Sequence, residues 1–180
     1  LAEWPVNHCV KVLAPLRTDD AEDLIAYHER TLVDLADACR RTGHEFLLEI
    51  INGRADRYAD PDQILALMAR LYELGIMPDW WKLEPIADPA FWTRSGDIVR
   101  AHDPHLQGII VLGKEMPDDE LVRVLAMARG EPLVRGFAIG RTIFSDAARQ
   151  WFAGDIDDAA ATEMMSAVYR RLIAAWDAAG

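Results

Sequence analysis

The sequence is poor in cysteine and almost as poor in lysine. Two cysteines, Cys9 and Cys39, in 180 residues cannot make a disulfide framework. Neither has a CxxC neighbour or zinc-like spacing, so both are expected to be small buried residues of a reduced, cytoplasmic protein. No apolar run approaches the ~18 residues that span a bilayer, and no basic-then-apolar leader opens the chain, so neither a membrane nor export is expected. The chain opens on Leu1 rather than Met, so an upstream segment is expected. GxSxG, P-loop and GxGxxG motifs are all missing. Cations are scarce overall: 19 Lys and Arg against 30 Asp and Glu give a net charge of −11. That balance argues against nucleic acid as a partner, because phosphate contacts need clustered cations.

The remaining composition is that of one globular domain, residues 1–180, with 51% hydrophobic and 27% charged residues. Of the 19 basic residues only three are lysines: Lys11, Lys82 and Lys114. Arginine in place of lysine can follow from genome base composition. The positions of the three lysines cannot.

Five β-like runs, residues 8–14, 45–51, 79–85, 108–113 and 134–139, are each followed by a helical pattern. The first helix is expected over 19–42, with a stripe of Leu24, Ile25, His28, Leu32, Leu35, Ala36 and Cys39. Asp19 and Glu22 have capping-box spacing, and Gly43 suits a left-handed stop. Asp60-Pro61 and Asp88-Pro89 open the second and third helices, since proline suits the first helical position. Pro117 opens a fourth, ending near Gly130. Helices over 145–152 and 158–178 complete the pattern. Alternating strands and helices predict a parallel sheet covered by helices. Such a chain is a doubly wound open sheet or part of a (β/α)8 barrel, and a whole barrel needs about 250 residues. Open strand edges favour pairing, so a homo-oligomer is expected.

Alternate residues of a strand share a face. Lys82 and Glu84 therefore point the same way in Asp79-Trp80-Trp81-Lys82-Leu83-Glu84-Pro85. They form either a structural ion pair or an amine in a partly apolar pocket, where desolvation makes it nucleophilic toward carbonyls. Glu49 lies near the C-terminal end of its strand, where parallel α/β folds place their sites, although a solvated strand end reads equally well. Lys11 sits in an apolar run and needs an anionic partner. Lys114, one residue past the fourth strand, reads as a plain surface lysine. Gly140-Arg141-Thr142 at a strand-to-helix junction could hold phosphate on free N–H groups with Arg141 as a bidentate ligand, and Gly113 would be the other half of that nest. A packing glycine is the plainer reading. His102 and His105 are too weakly spaced to read as metal ligands.

His8-Cys9-Val10-Lys11, Phe46-Leu47-Leu48-Glu49-Ile50-Ile51, the Trp-Trp-Lys-Leu-Glu-Pro segment at 80–85 and the segment from Arg135 to Phe144 resemble the DUF2090 family. That domain is found fused behind the sugar kinase of inositol catabolism, and it is distantly similar to class I tagatose-bisphosphate aldolases. The resemblance implies an incomplete (β/α)8 barrel beginning at its fourth strand. It implies Lys82 as the Schiff-base lysine, Glu49 as the acid/base carboxylate and Lys11 as a lysine assisting proton transfer. It implies phosphate on Gly113, Gly140 and Arg141, with Glu84 among the substrate-binding residues. Lys114 departs from the family pattern, in which an apolar residue is usual there. No metal or cofactor is implied; a phosphorylated sugar acid and a fused or separate sugar-kinase domain are. The implied reaction cleaves 2-deoxy-5-keto-gluconate 6-phosphate to dihydroxyacetone phosphate and malonate semialdehyde. A non-catalytic phosphosugar-binding or regulatory module, or a barrel isomerase using Glu49 as base, are the alternatives.

Overall fold

The computed structural model describes residues 1–53 and 59–180. Strands and helices alternate as the sequence pattern requires. The strands are β1 (Val10–Pro15), β2 (Phe46–Ile51), β3 (Trp80–Leu83), β4 (Gly108–Leu112) and β5 (Val134–Ala138). Helices α1 (Glu22–Thr42), α2 (Pro61–Glu73), α3 (Pro89–His102) and α4 (Asp118–Arg129) lie between them, and α5 (Arg141–Ala153) and α6 (Asp158–Ala178) follow β5.

All neighbouring strands are parallel, and their order in the sheet is β1-β2-β3-β4-β5. Sequential order excludes the doubly wound alternative, in which the strand order reverses about an inner strand. Crossovers between parallel neighbours are right-handed almost without exception, a rule that puts the connecting helices α1 to α4 on one side of the sheet. The burial pattern agrees. Leu48, Ile50, Trp81, Leu83, Ile109 and Val111 are sealed against the helices, whereas Lys11, Leu13, Leu47, Lys82 and Ile110 on the other face keep some exposure. Helix residues Ile64, Met68, Leu71, Phe91, Trp92, Leu121 and Leu125 fill the layer between. The sheet runs from β1 to β5 without closing, which is the arrangement of an incomplete barrel.

Local signals account for most helix ends. Asp60 and Asp88 accept hydrogen bonds from first-turn N–H groups, each followed by proline. Gly43 ends α1 with φ 72°, a value that costs glycine nothing. Four expectations are corrected. Helix α1 begins at Glu22 without a capping box, because its N-cap is Ala21, which has no capping side chain; the Asp19 carboxylate instead accepts from Arg17 at 2.7 and 3.1 Å. Helix α5 begins at Arg141, four residues before its expected start, so Gly140 is its N-cap. Cys39 is buried but Cys9 is exposed, since it precedes the first strand residue. Leu24 of the expected stripe is also exposed, on the helix that flanks the open edge strand β1. Among the described residues no helix is long and apolar enough to cross a membrane.

Candidate active site at the strand ends

Register decides which charges meet. Glu49 of β2 pairs with Leu13 of β1 on one side and with Lys82 of β3 on the other. Its carboxylate lies on the half-open face, its side chain 7% exposed. Oε2 of Glu49 receives the Lys11 ammonium at 2.5 Å and the Lys82 ammonium at 3.3 Å. Lys82 is mostly enclosed, its side chain 17% exposed, and Lys11 is more open at 44%. One carboxylate thus serves both lysines of the inner face.

Glu84 does not join this cluster, contrary to the expectation from its spacing to Lys82. It lies just beyond the end of β3 and is fully buried. Its Oε2 accepts the backbone N–H groups of Asn52 at 2.6 Å and Gly53 at 2.9 Å, and its Oε1 takes the Lys114 ammonium. With both oxygens engaged, Glu84 anchors the site from behind. Lys114 is accordingly no plain surface lysine; it packs against Gly53, where any Cβ would collide with its ammonium.

Asn52 extends the anchor. Fully buried, it donates to the Leu16 carbonyl at 3.1 Å and accepts from the Asp60 N–H at 2.9 Å. Its own carbonyl accepts from the buried Arg17 at 2.9 Å. The Asp19 carboxylate, hydrogen-bonded to that guanidinium, raises its pKa above the usual arginine range. The ends of β1, β2 and β3 and the β4–α4 turn are therefore tied together by buried polar groups. Sequence reasoning missed Arg17, Asn52 and the partner of Lys114. The available signals were a strand ending in Asn-Gly and a third lysine at a strand end in a chain that has so few.

Gly113, Lys114, Glu115 and Met116 form a tight turn closed by the Met116 N–H on the Gly113 carbonyl at 2.9 Å. Both central residues have positive φ, 47° at Lys114 and 58° at Glu115. Turns of this kind favour glycine and asparagine, and each ordinary side chain held there costs about 1–2 kcal/mol. A Cβ at Gly113 would lie 2.9 Å from the Ile139 side chain and 3.3 Å from Thr142 Oγ1, so only glycine lets this turn approach the start of α5. The first-turn N–H groups of a helix lack intrahelical partners, and here they follow Gly140. Arg141 Nη1 pairs with Glu115 Oε1 at 2.7 Å, both side chains more than half exposed.

A pocket of about 230 Å³ opens between these groups, lined among others by Glu49, Lys82, Gly113, Lys114, Gly140 and Arg141. It joins an enclosed amine, a buried carboxylate, a helix start and an arginine, the parts needed to hold and polarise a small anionic carbonyl compound. His102 does something else: its ring stacks on Tyr72, with centroids 5.4 Å apart. Among the described residues no three His, Cys, Asp or Glu side chains are grouped to hold a metal ion.

Solved structures share this fold. One is Cgl0159 of Corynebacterium glutamicum, at TM-score 0.58 and 20% identity over 88% of this chain and 50% of that one. Another is a Schiff base forming fructose-1,6-bisphosphate aldolase, at TM-score 0.56 and 12% identity over 75% of this chain and 51% of that one. The chain thus spans about half the length of each of these structures. No curated protein matches the sequence. A family model described as "Uncharacterized protein conserved in bacteria (DUF2090)" matches residues 1–180, and the chain belongs to that family.

Proposed function

We propose that this chain carries the reacting half of a class I aldolase site, acting on a phosphorylated keto sugar acid of the type of 2-deoxy-5-keto-gluconate 6-phosphate. The observation that carries the reading is the pair of Lys82 and Glu49 in the lining of the strand-end pocket, with Lys11 on the same Glu49 oxygen. In this mechanism the Lys82 amine adds to the C5 ketone and water leaves, giving a protonated imine. Glu49 takes the proton of the C3 hydroxyl, the C3–C4 bond breaks, and its electron pair moves to the imine as an enamine. The C1–C3 piece departs as malonate semialdehyde. Protonation at C4 and hydrolysis of the imine release dihydroxyacetone phosphate and the free lysine. The phosphate is held at the start of α5 by Arg141 and the N–H groups beside Gly140 and Gly113. Similarity of fold to a Schiff base forming aldolase supports the choice of reaction class.

The test is reductive trapping. Incubation with dihydroxyacetone phosphate and borohydride should add one ligand mass to the peptide carrying Lys82, and Lys82→Arg should abolish the adduct, since a guanidinium cannot form the imine. Lys11 and Lys114 are internal controls. No adduct, or label spread over all three lysines, overturns the reading.

A further inference from the structure

Two ammonium groups on one carboxylate leave a positive charge in surplus. Lys82 and Lys11 share Glu49 Oε2 at 3.3 and 2.5 Å, and among the described residues no other acid lies within ion-pair distance of either. The neighbouring cations each have their own acid, Glu84 for Lys114 and Glu115 for Arg141. Glu45, on the same face of β2 as Glu49 but at the opposite end of the sheet, accepts from Trp80 Nε1 at 3.2 Å and Gln107 Nε2 at 2.9 Å. Forming a protonated imine at Lys82 keeps the surplus, because the imine carries the same single positive charge. The exposure of the two lysines says where a ligand anion can meet it. Lys82 is enclosed, whereas Lys11 is 44% exposed and is open to a second anion while it holds Glu49.

We infer that Lys11 binds the carboxylate of the substrate, and that it makes the site select keto acids over neutral ketones. The inference rests on the proposed function, which leaves that carboxylate without a partner. Strand order sets Lys11, Glu49 and Lys82 in a row on β1, β2 and β3, and Arg141, which follows β5, lies on the far side of Lys82. A keto sugar acid phosphate carries its groups in the same order: phosphate, reacting C5 ketone, C3 hydroxyl, C1 carboxylate. With the phosphate toward Arg141 and the C3 hydroxyl at Glu49, C1 points to Lys11. The spans agree. The two lysine nitrogens cannot be farther apart than their distances to Glu49 Oε2 taken together. The four bonds from C5 to C1 span about 5 Å when extended, within that limit. The bound carboxylate and Glu49 then neutralise Lys11 and the imine exactly in number. This role differs from assistance in proton transfer, which would not tell a keto acid from its amide.

The probes are 5-oxohexanoate and its neutral amide, 5-oxohexanamide. Both place a ketone four bonds from C1, and neither has the C3 hydroxyl needed for cleavage or a phosphate for Arg141. The Lys82 amine adds to the ketone, water leaves, and hydride from cyanoborohydride fixes the imine as a secondary amine. The initial rate of adduct formation on the Lys82 peptide is measured by mass at low probe concentration on the full chain. In the wild-type protein the acid should label Lys82 at least about tenfold faster than the amide, the weight of one charge-assisted hydrogen bond. Lys11→Met should bring the two rates within about twofold, and Lys11→Arg, which keeps the cation, should hold the acid at least about threefold ahead. Any effect of these variants through Glu49 acts on both probes and leaves their ratio unchanged. Equal labelling by the two probes in the wild-type protein, a preference for the acid that survives Lys11→Met, or loss of both labels in that variant overturns the inference and leaves the imine standing. Labelling of Lys82 by neither probe in the wild-type protein overturns the imine and this inference with it.

Discussion

Nζ of Lys82 lies 3.3 Å from Oε2 of Glu49, on neighbouring strands whose register sets the two residues side by side. The same oxygen holds Lys11 at 2.5 Å, so one buried carboxylate balances two ammonium groups. If Glu49 moves protons while Lys82 forms the bond to substrate, the two roles separate on mutation. Glu49→Gln should still form a borohydride-trapped adduct at Lys82. Its cleavage rate should fall by about 100-fold or more, the usual weight of a general acid–base group. Rapid cleavage by this variant would remove Glu49 from the chemistry.

Glu84 has a different task, and stability measures it. Glu84→Ala would leave the N–H groups of Asn52 and Gly53 without their acceptor and Lys114 without its anion. Breaking a buried pair of this kind costs about 3–5 kcal/mol. Urea unfolding should show that loss, and Glu84→Gln, which keeps one acceptor oxygen, should lose less. Equal loss in the two variants would mean that the backbone bonds contribute nothing.

Arg141 should matter only to phosphorylated ligands. Its guanidinium is mostly exposed and its one described ion pair is the surface contact to Glu115, so Arg141→Ala should leave the melting temperature nearly unchanged. Binding of phosphorylated ligands should weaken by about 1–3 kcal/mol, the worth of charge-assisted hydrogen bonds. Unphosphorylated sugars should bind as before. A parallel loss for both ligand types would mark Arg141 as structural.

Tyr72 gives the fold an alkaline limit. Its hydroxyl accepts from Trp81 Nε1 at 2.7 Å inside the helix-facing core. Burial pushes the phenol well above its ordinary value near 10, with Asp103 adding to the rise and the Trp81 bond opposing it. The native state therefore keeps this proton where the unfolded chain releases it. The associated stability is complete below about pH 10 and declines as the pH climbs further. Phenolate absorbance from Tyr72 should appear together with unfolding. In Tyr72→Phe that late component should vanish, and stability at neutral pH should drop by about 1–3 kcal/mol because Trp81 loses its acceptor.

Local chemistry in the sequence determined the elements themselves. Asp60-Pro61 and Asp88-Pro89 specify helix starts through capping and a fixed proline φ, and Gly43 specifies a stop through its left-handed backbone. Five strand-helix units and the rarity of lysine were equally legible, because they require only neighbours along the chain. The pairing of charges was decided by the tertiary structure. Residues i and i+2 of one strand stand about 6–7 Å apart, whereas paired residues on adjacent strands are about 4.8 Å apart. Lys82 therefore meets Glu49, which precedes it by a helix and a loop, instead of Glu84 two residues away. Glu84, just past the strand end, turns to Lys114 and the Asn52-Gly53 backbone for the same reason: its partners arrive from other strands. Register between strands comes from packing of the whole helix-facing layer, and no local stretch of sequence encodes it.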